Sequence, residues 1–236
     1  MQRASKEALE GLMQFDSATV FNAIVESMGA SQGGRELQTR GGIPECYTGP
    51  EIRCLLPEFG CVVGYAVTSE LATNDPDAVG VPWDSYYEVL EKTGGPIIAA
   101  MKDVDTRPGR GAAFGDNMAA ANKALGVVGA VVDGTVRDLQ GIKAVGLPVW
   151  GRGLVPGHGV FTLVRVNGPV AIGQLLVHPG DLLVADMDGC TKVPSGFDPA
   201  ALLEKCRQIR KKEQMFQEFT RRPGFSVARW KEFRKK

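Results

Sequence analysis

The stretch that decides the fold is residues 115–152, GDNMAAANKALGVVGAVVDGTVRDLQGIKAVGLPVWGR. Residues 117–125 are rich in alanine, which loses little side-chain entropy in a helix, and Gly126 follows them as a residue that commonly ends one. The pattern therefore predicts a helix over residues 117–125. Asp116 is expected at or near its N-cap.

A strand and a second helix follow in the same stretch. Residues 127–132 are apolar and mostly β-branched, which predicts one buried strand, and Asp133-Gly134 supplies the turn that ends it. The pattern then predicts a helix over residues 138–145 and a strand over residues 147–150. Arg137-Asp138 is expected between the first strand and the second helix, so that ionisable side chains collect at loop ends.

The N-terminal half contains further helix and strand patterns. Asp16 or Ser17 can cap the second helix, and residues 29–58 contain many glycines and prolines, which indicates an irregular functional or interface segment. Asp103 and Asp105 resemble a metal-binding doublet, but an exposed acidic loop over residues 103–110 is the favoured interpretation. The elements that we predict are helices over 5–15, 16–28 and 85–92, strands over 61–67 and 96–101, a loop over 74–82, and a short segment over 111–114.

The C-terminal half changes to short strands separated by glycine and proline, followed by one long helix. We predict strands over 159–166, 170–171, 174–177, 181–185 and 190–193, and a helix over 199–219. No internal repeat or flexible linker is visible in the sequence. We therefore predict a single α/β domain over residues 1–220 with mixed strands, and a basic aromatic tail over residues 221–236.

Composition excludes several functional classes. The chain has 236 residues, of which 44% are hydrophobic, as in ordinary globular proteins. It contains no long apolar run and no signal-peptide pattern, so we predict a cytoplasmic protein without membrane contact. Its five cysteines include no CxxC pair, which argues against a zinc site or a disulfide framework. The two histidines, His158 and His178, leave few candidates for histidine chemistry, and a direct chemical role is not the favoured interpretation of either.

The charge is unevenly distributed along the chain. Residues 205–236 contain 12 Lys or Arg and 3 Glu, a net charge of +9, and the total of zero leaves −9 for residues 1–204. This segment could be a phosphate-binding arm, which would imply nucleic acid as a partner. We favour docking on an acidic neighbour or subunit, because the aromatic residues of the tail are suitable anchors on protein: Phe216, Phe219, Phe225, Trp230 and Phe233.

Three segments together resemble a known family. Asp116, the Arg137-Asp138 pair with the following GLPVWGRG, and HPGDLLVADMDGCTKVP (residues 178–194) are similar to the class II 4-hydroxy-4-methyl-2-oxoglutarate aldolases. Those enzymes share a family with the regulator of ribonuclease activity A proteins. The resemblance covers most of the chain from residue 15 onwards. It implies a β/β/α swivelling-type (phosphohistidine-domain-like) fold with mixed sheets, a C-terminal helix, and trimers or hexamers with active sites at subunit interfaces.

The resemblance also implies a chemistry. Members of the aldolase branch cleave 4-hydroxy-2-oxo acids to pyruvate with Mg²⁺ or Mn²⁺, and many decarboxylate oxaloacetate; both reactions pass through a pyruvate enolate. Asp138 would be the metal ligand, Arg137 would stabilise the developing oxygen charge, and Asp116 would relay a proton through water to the enolate carbon. The backbone N–H groups of Asn117 and Met118 would bind the substrate carboxylate, and Gly115 would allow close approach.

Other assignments from the resemblance concern supporting residues. Glu213 matches a carboxylate that reaches the metal waters from a neighbouring subunit, with Glu204 and Glu218 as rivals. Arg152 is expected to hold the loops around the site. The family pattern places Glu or Asp three residues after the Arg-Asp pair, whereas this chain has Gly141. This departure leaves metal affinity and substrate choice open.

A purely structural interpretation exists for the same residues. Asp116 and Asp138 could each cap a helix, with Arg137 paired to one of them. Asp133, Asp186 and the neighbouring Asp188 are interpreted as turn residues. The sequence supports two hypotheses of function, a metal-dependent lyase for a small 2-oxo acid and a non-catalytic protein-binding regulator of ribonuclease activity. Asp116 favours the enzyme, because the regulator branch generally lacks an Asp at that position.

Overall fold

The computed structural model describes residues 3–29 and 46–234. Within these residues, seven α-helices and one short 3₁₀ turn, Pro57–Phe59, are present. The helices are α1 (Lys6–Leu12), α2 (Ser17–Ser27), α3 (Asp84–Thr93), α4 (Asp116–Ala124), α5 (Leu139–Val145), α6 (Pro199–Arg221) and α7 (Val227–Phe233). None of them combines the length and apolar character that crossing a bilayer requires.

The described residues also form thirteen strands in three sheets. The strands are β1 (Arg53–Cys54), β2 (Val62–Ala72), β3 (Ile97–Asp103), β4 (Ala112–Phe114), β5 (Val127–Asp133), β6 (Thr135–Val136), β7 (Val149–Gly151), β8 (Gly153–Leu154), β9 (Thr162–Val166), β10 (Val170–Ile172), β11 (Leu175–Val177), β12 (Leu182–Asp186) and β13 (Gly189–Val193).

The main sheet has a parallel centre and antiparallel edges. Its order is β1-β7-β5-β3-β2-β12-β13, and β9 pairs with the C-terminal half of β2. The neighbours β2, β3, β5 and β7 run parallel, whereas β1, β12, β13 and β9 pair antiparallel. Helices α3, α4 and α5 supply the crossovers that parallel neighbours need. The prediction of a mixed α/β fold with a C-terminal helix is confirmed.

The central strands are buried on both faces, which explains their continuous apolar runs. On β3, Ile97, Ala99 and Met101 pack with α3, α4 and α5, while Ile98 and Ala100 face the β10–β11 ribbon and Trp150. Successive side chains on a strand point to opposite faces, so one short run builds two cores. A third cluster joins α1, α2 and α6 to the β12–β13 end of the sheet.

Most predicted elements are present, with shifted ends. The strand predicted over 61–67 extends to Ala72, and residues 221–236, predicted as a tail, contain α7. The strands β6 and β8 were not predicted, because two-residue strands have no readable periodicity. Asp16 is the N-cap of α2, as predicted, and accepts a hydrogen bond from the Thr19 N–H at 2.6 Å. Most of the irregular segment predicted over 29–58 lies outside the described residues.

The interpretation of residues 103–110 as an exposed acidic loop is wrong. Asp103 is 1% exposed and Asp105 is 4% exposed, and their carboxylates organise the loop from inside. Asp103 accepts the N–H groups of Asp105 and Gly109, and Asp105 pairs with Arg110 at 2.6 Å. Burial raises the pKa of Asp103, and the neighbouring carboxylates of Asp105 and Asp133 also raise it. Their acceptors are taken by the loop itself and by the Asn74 N–H, so this doublet is structural.

The C-terminal aromatic residues form a small cluster of their own. Helix α6 buries side chains against the body only as far as Ile209, and α7 folds back against its last turns. Phe219 stacks on Phe233 at 4.5 Å between ring centroids, and Phe216 lies 6.0 Å from Trp230. These rings therefore contact each other within the chain, while Phe216 and Phe225 stay partly exposed.

Candidate functional site

Two short parallel strands bring the predicted site residues together. In the small sheet β4-β6-β8, Ala112 pairs with Thr135 and Phe114 pairs with Val136. Because parallel neighbours end at the same edge, the residues after β4 meet the residues after β6. The chain after β4 is Gly115 and the start of α4, and the chain after β6 is Arg137-Asp138. The Arg137 N–H donates to the Phe114 carbonyl at 2.9 Å and extends this pairing.

A pocket of about 250 Å³ opens at this edge. The segments after β4 and β6 contribute its charged and polar residues, Asp116, Asn117 and Arg137. Phe114 and Met118 contribute apolar surface. The remaining lining residues are Ala112, Gly115, His158 and Phe161. The predicted residues Gly115, Asp116, Asn117, Met118 and Arg137 therefore share one pocket. Asp138 is not among the lining residues, but it is paired with Arg137, which is.

Arg137 and Asp138 form an ion pair beside Gly115. Arg137 Nε lies 3.1 Å from Asp138 Oδ2, with 31% and 41% of the two side chains exposed. A Cβ added at Gly115 would lie 3.2 Å from Asp138 Oδ2 and 3.3 Å from Arg137 Nε, so a side chain at residue 115 would crowd both groups. Partial exposure leaves the pair accessible to a small ligand.

Asp138 has an unusual backbone conformation. Its φ of 56° and ψ of 39° lie in the left-handed region, which costs free energy for residues other than glycine, although Asp tolerates it better than most. It stands at the N-cap position of α5, but its side chain makes no capping hydrogen bond. The structural interpretation of Asp138 as a helix cap is therefore wrong. Residues held in sparsely populated backbone regions cluster at functional sites.

Asp116 is not the N-cap of α4 either, because Gly115 holds that position. Asp116 Oδ1 accepts the Asn117 N–H at 2.7 Å. That donor has a partner within the chain, and its contact with a substrate carboxylate stays a prediction. The Met118 N–H belongs to the same first turn, where a helix has no internal acceptor to offer. It remains a predicted contact for a carboxylate.

Packing explains why residue 141 is a glycine. A Cβ at Gly141 would lie 2.5 Å from Asp116 Oδ2 and 2.7 Å from Asp116 Cβ, closer than real Cβ contacts occur. The Asp116 side chain therefore fills the space that a residue 141 side chain would need. A carboxylate at residue 141, which the family pattern suggested, is incompatible with this position of Asp116.

Asp133, the last residue of β5, forms an ion pair with Arg152. Asp133 is buried at the end of β5 and accepts hydrogen bonds from Lys102, from Arg152 and from the Gly173 N–H, the last at 2.9 Å. Burial raises the pKa of Asp133, but these donors outweigh burial, and the net pKa is lowered. The interpretation of Asp133 as a simple turn residue is wrong. Arg152 ties the chain after β7 to the end of β5, and its predicted place around the site stays a prediction.

Asp186 likewise does more than form a turn. Its carboxylate accepts the Ser17 N–H at 2.6 Å and the Ser17 hydroxyl at 2.7 Å, and so ties the first turn of α2 to β12. It also accepts the Asp188 N–H at 2.9 Å, which is the expected turn contact. Asp186 is 5% exposed and lies outside the pocket of Asp116.

Two site residues were missed from the sequence. His158 and Phe161 line the same pocket as Asp116, although they follow it by more than forty positions. The only sequence signal was the pair of glycines that flanks His158. Glu213, by contrast, is not a lining residue in one chain: α6 packs on α1 and α2, in a different core cluster from the pocket.

The pocket can hold a divalent cation only with help from water or ligand. Among residues 3–29 and 46–234, no group of three or more His, Cys, Asp or Glu side chains could enclose a metal ion. The carboxylate of Asp138 is partly exposed. Its Oδ2 faces Arg137, and its Oδ1 remains as a ligand for a cation. Mg²⁺ keeps several waters and commonly uses one or two carboxylates plus substrate oxygens, so this donor set fits Mg²⁺ or Mn²⁺.

The fold and this pocket define an α/β protein with an Arg-Asp pair at the ends of parallel strands. The family model described as RraA-like, Aldolase/RraA, matches residues 26–191. The chain belongs to this family, as the sequence resemblance predicted.

The similar proteins include one that is named as an aldolase and one that is described as a member of an RNase inhibitor family. A Halalkalibacterium halodurans protein named "Putative 4-hydroxy-4-methyl-2-oxoglutarate aldolase" is 35% identical over 67% of this chain and 70% of its own. The crystal structure of Streptomyces coelicolor RraAS2, described as an unusual member of the RNase ES inhibitor RraA protein family, is 25% identical, with a TM-score of 0.65 over 94% of this chain and 100% of that chain. A Pseudomonas syringae structure at 20% identity has a TM-score of 0.73 over 98% of this chain and 96% of its own, and supports the fold.

Proposed function

We propose that this protein is a metal-dependent lyase. It cleaves a 4-hydroxy-2-oxo acid of the 4-hydroxy-4-methyl-2-oxoglutarate type to pyruvate and a second oxo acid, and it also decarboxylates oxaloacetate. The observation that carries the proposal is that Asp116 and Arg137 line one open pocket and that Asp138 is paired with Arg137. The relative named as such an aldolase supports the same reaction class. We also propose the finer fold assignment, a β/β/α swivelling-type domain.

Asp138 would hold the Mg²⁺ or Mn²⁺ ion, with the substrate's own oxygens and water completing its shell. When bound, the ion supplies Lewis-acid stabilisation to negative charge that develops at the 2-oxo oxygen. The left-handed backbone at Asp138 fixes the direction of its carboxylate without a helix-capping bond. The site thus requires few protein ligands.

Arg137 stabilises the reacting oxygen. Its guanidinium stays charged at any working pH and offers donors in a fixed plane. The Nε group faces Asp138 at 3.1 Å, which leaves the terminal nitrogens to reach into the pocket. Cleavage moves an electron pair toward the 2-oxo oxygen, and a cation placed beforehand is worth more in the transition state than in the ground state.

Asp116 relays a proton to the enolate carbon through water. One oxygen of its carboxylate is held by the Asn117 N–H, and the other lies against Gly141. This clamped position defines where a water molecule can bind between Asp116 and the substrate. The Met118 N–H, at the start of α4, is placed to bind the substrate's carboxylate.

The assay that tests this function measures pyruvate release from 4-hydroxy-4-methyl-2-oxoglutarate and from oxaloacetate. Release is expected with Mg²⁺ or Mn²⁺ and is expected to stop in EDTA, because one carboxylate cannot retain the ion against a chelator. Restoring Mg²⁺ should restore activity. Unchanged turnover in EDTA would contradict the metal mechanism.

Failure to release pyruvate from any 2-oxo acid would favour the second candidate function. This candidate is a non-catalytic, protein-binding regulator of ribonuclease activity, and the similarity to Streptomyces coelicolor RraAS2 is the observation in its favour. Activity in the assay decides between the two.

Gly141→Ala is expected to separate activity from stability. The added methyl group would displace the Asp116 carboxylate, so kcat should fall about 10-fold or more, as general acid–base contributions do when a group moves. Alanine inside a helix is favoured over glycine by about 0.5–1 kcal/mol, which offsets part of the about 1–3 kcal/mol that overpacking costs, so the fall in melting temperature should be small compared with the loss of activity. Gln140→Ala, an exposed change on the same helix, is the control. Full activity in Gly141→Ala would contradict the role of Asp116.

Glu213 completes the site in trans, in a homotrimer or homohexamer. The charge difference between the basic C-terminal segment and the acidic remainder of the chain favours contact between copies. Arg137→Ala and Glu213→Ala chains should each be weakly active alone. When the two variants are coexpressed and share one oligomer, activity should return. Some active sites then combine an intact Arg137 from one copy with an intact Glu213 from another. No regain, with the mixed oligomer verified by two affinity tags, would place Glu213 outside the site.

A further inference from the structure

The proposed aldol cleavage requires a base that the predicted residues do not provide. Breaking the C3–C4 bond requires removal of the proton from the C4 hydroxyl. Asp116 serves the enolate carbon, Arg137 is a cation, Asp138 is assigned to the metal ion, and Glu213 of a neighbouring copy is assigned to the waters of that ion. A separate proton acceptor in the pocket is therefore needed, a requirement that rests on the proposed function.

His158 is a further titratable residue of this pocket. It lines the same pocket as Asp116 and Arg137, but it comes from the loop between β8 and β9 rather than from the ends of β4 and β6. A residue from a separate loop suits a group that acts on a different part of the substrate. His178, the other histidine of the chain, lies beside Asp181 and does not line this pocket.

Backbone contacts hold the His158 loop in position. The Gly157 carbonyl accepts the Ala112 N–H at 2.6 Å, and the Phe161 N–H donates to the Thr73 carbonyl at 3.2 Å. These two contacts bracket His158 and tie it to β4, the strand that leads to Asp116. A fixed distance between the two sides of the pocket follows from this attachment.

Side-chain packing fixes the same loop. Phe161 stacks on Trp83 with 4.9 Å between ring centroids and 10° between ring planes, and the Trp83 indole N–H donates to the Phe161 carbonyl at 3.4 Å. Phe161 has a φ of 65°, which is rare for a bulky residue and requires compensation by its surroundings. Beneath the loop, a Cβ at Gly111 would lie 2.9 Å from the His158 carbonyl oxygen, so Gly111 permits the close approach.

The hydrogen bond of the imidazole defines its tautomer. His158 Nδ1 lies 2.8 Å from the Gly159 carbonyl oxygen. A carbonyl can only accept, so Nδ1 carries the proton, and in the neutral ring Nε2 is an unprotonated acceptor. An imidazole oriented in this way is the usual form of a general base.

We infer that His158 is the general base for the C4 hydroxyl of the aldol substrate. Nε2 takes the hydroxyl proton, the O–H electron pair becomes the second bond of a new C4 carbonyl, and the C3–C4 electron pair passes into the pyruvate enolate. The second oxo acid leaves with that carbonyl, and the enolate carbon takes up a proton from water. His158 returns its own proton to solvent, so the step is balanced without an external oxidant or reductant. Oxaloacetate has no C4 hydroxyl and does not need this base.

The test uses that difference between the two substrates. His158→Ala should lower kcat for cleavage of 4-hydroxy-4-methyl-2-oxoglutarate about 10²–10⁴-fold, as loss of a general base does. Oxaloacetate decarboxylation should lose at least about tenfold less activity than aldol cleavage in the same preparation, because it does not use this base. His158→Gln keeps a hydrogen-bond acceptor but not a base, and should restore KM without restoring kcat. His178→Gln is the matched control and should resemble the wild type in both reactions.

Each result decides one point. Equal loss of both activities in His158→Ala would show that His158 acts only through loop structure, and unchanged aldol cleavage would overturn the proposal directly. Absence of both activities in the wild type would instead reject the proposed function. A readout independent of turnover is ¹⁵N NMR of histidine-labelled protein, in which the His158 signals should show a protonated Nδ1 and a bare Nε2; His158→Gln identifies them. The opposite tautomer in the free protein would also overturn the proposal.

Discussion

Arg137→Ala is expected to lower kcat/KM for pyruvate release by about 10²–10³-fold, the usual cost of removing one preorganised donor from a developing oxyanion. The same loss should appear with 4-hydroxy-4-methyl-2-oxoglutarate and with oxaloacetate, because both reactions place charge on the same oxygen. Steady-state kinetics with coupled detection of pyruvate measures this effect. Arg137 is 31% exposed, so its removal should leave the fold intact.

Two further variants sharpen this result. Arg137→Lys keeps the charge but loses the planar set of donors, so its activity should lie between those of Arg137→Ala and the wild type. Lys143→Gln removes a cation from α5 whose partner is Glu58 at 2.7 Å, and it should behave as the wild type. Equal losses in Arg137→Ala and Lys143→Gln would mean that net charge, and not position, is responsible. Wild-type kinetics in Arg137→Ala would refute the assignment.

Asp138→Asn is expected to abolish metal-dependent turnover, leaving the rate that the wild type shows in EDTA. Asparagine has nearly the same shape and also tolerates the left-handed backbone found at this residue, so the fold should survive. The affinity for Mn²⁺, measured by electron paramagnetic resonance titration, should fall by at least about 10–100-fold, since loss of even an outer-shell partner has that effect.

The control for Asp138→Asn is Asp188→Asn, which removes an exposed carboxylate from the turn between β12 and β13. This variant should bind Mn²⁺ as the wild type does. Undiminished Mn²⁺ affinity in Asp138→Asn would place the ion elsewhere. Lost activity with undiminished affinity would instead assign Asp138 to orienting Arg137, with which it is paired at 3.1 Å.

The roles of Asp133 and Gly141 show where sequence patterns mislead. Asp133 stands in an Asp-Gly pair, which is typical of a turn, but Lys102 and Arg152 both converge on it. Gly141 looked like a missing ligand, whereas its lack of a side chain makes room for Asp116. In both cases the deciding partner is distant in sequence, and only contact across the fold assigns the role.

The sequence by itself determined most of the longer helices and strands and their order, the apolar runs of β3 and β5, and the candidate residues Asp116, Arg137 and Asp138. These follow from local rules, because helix ends, strand periodicity and the family motif are written within short segments. The tertiary structure alone decided that β4 and β6 end side by side, that the Asn117 N–H is used within the chain, and that His158 lines the same pocket as Arg137. The physical reason is that pairing of two- and three-residue strands, and the packing of one loop on another, depend on contacts between distant segments that no local pattern encodes.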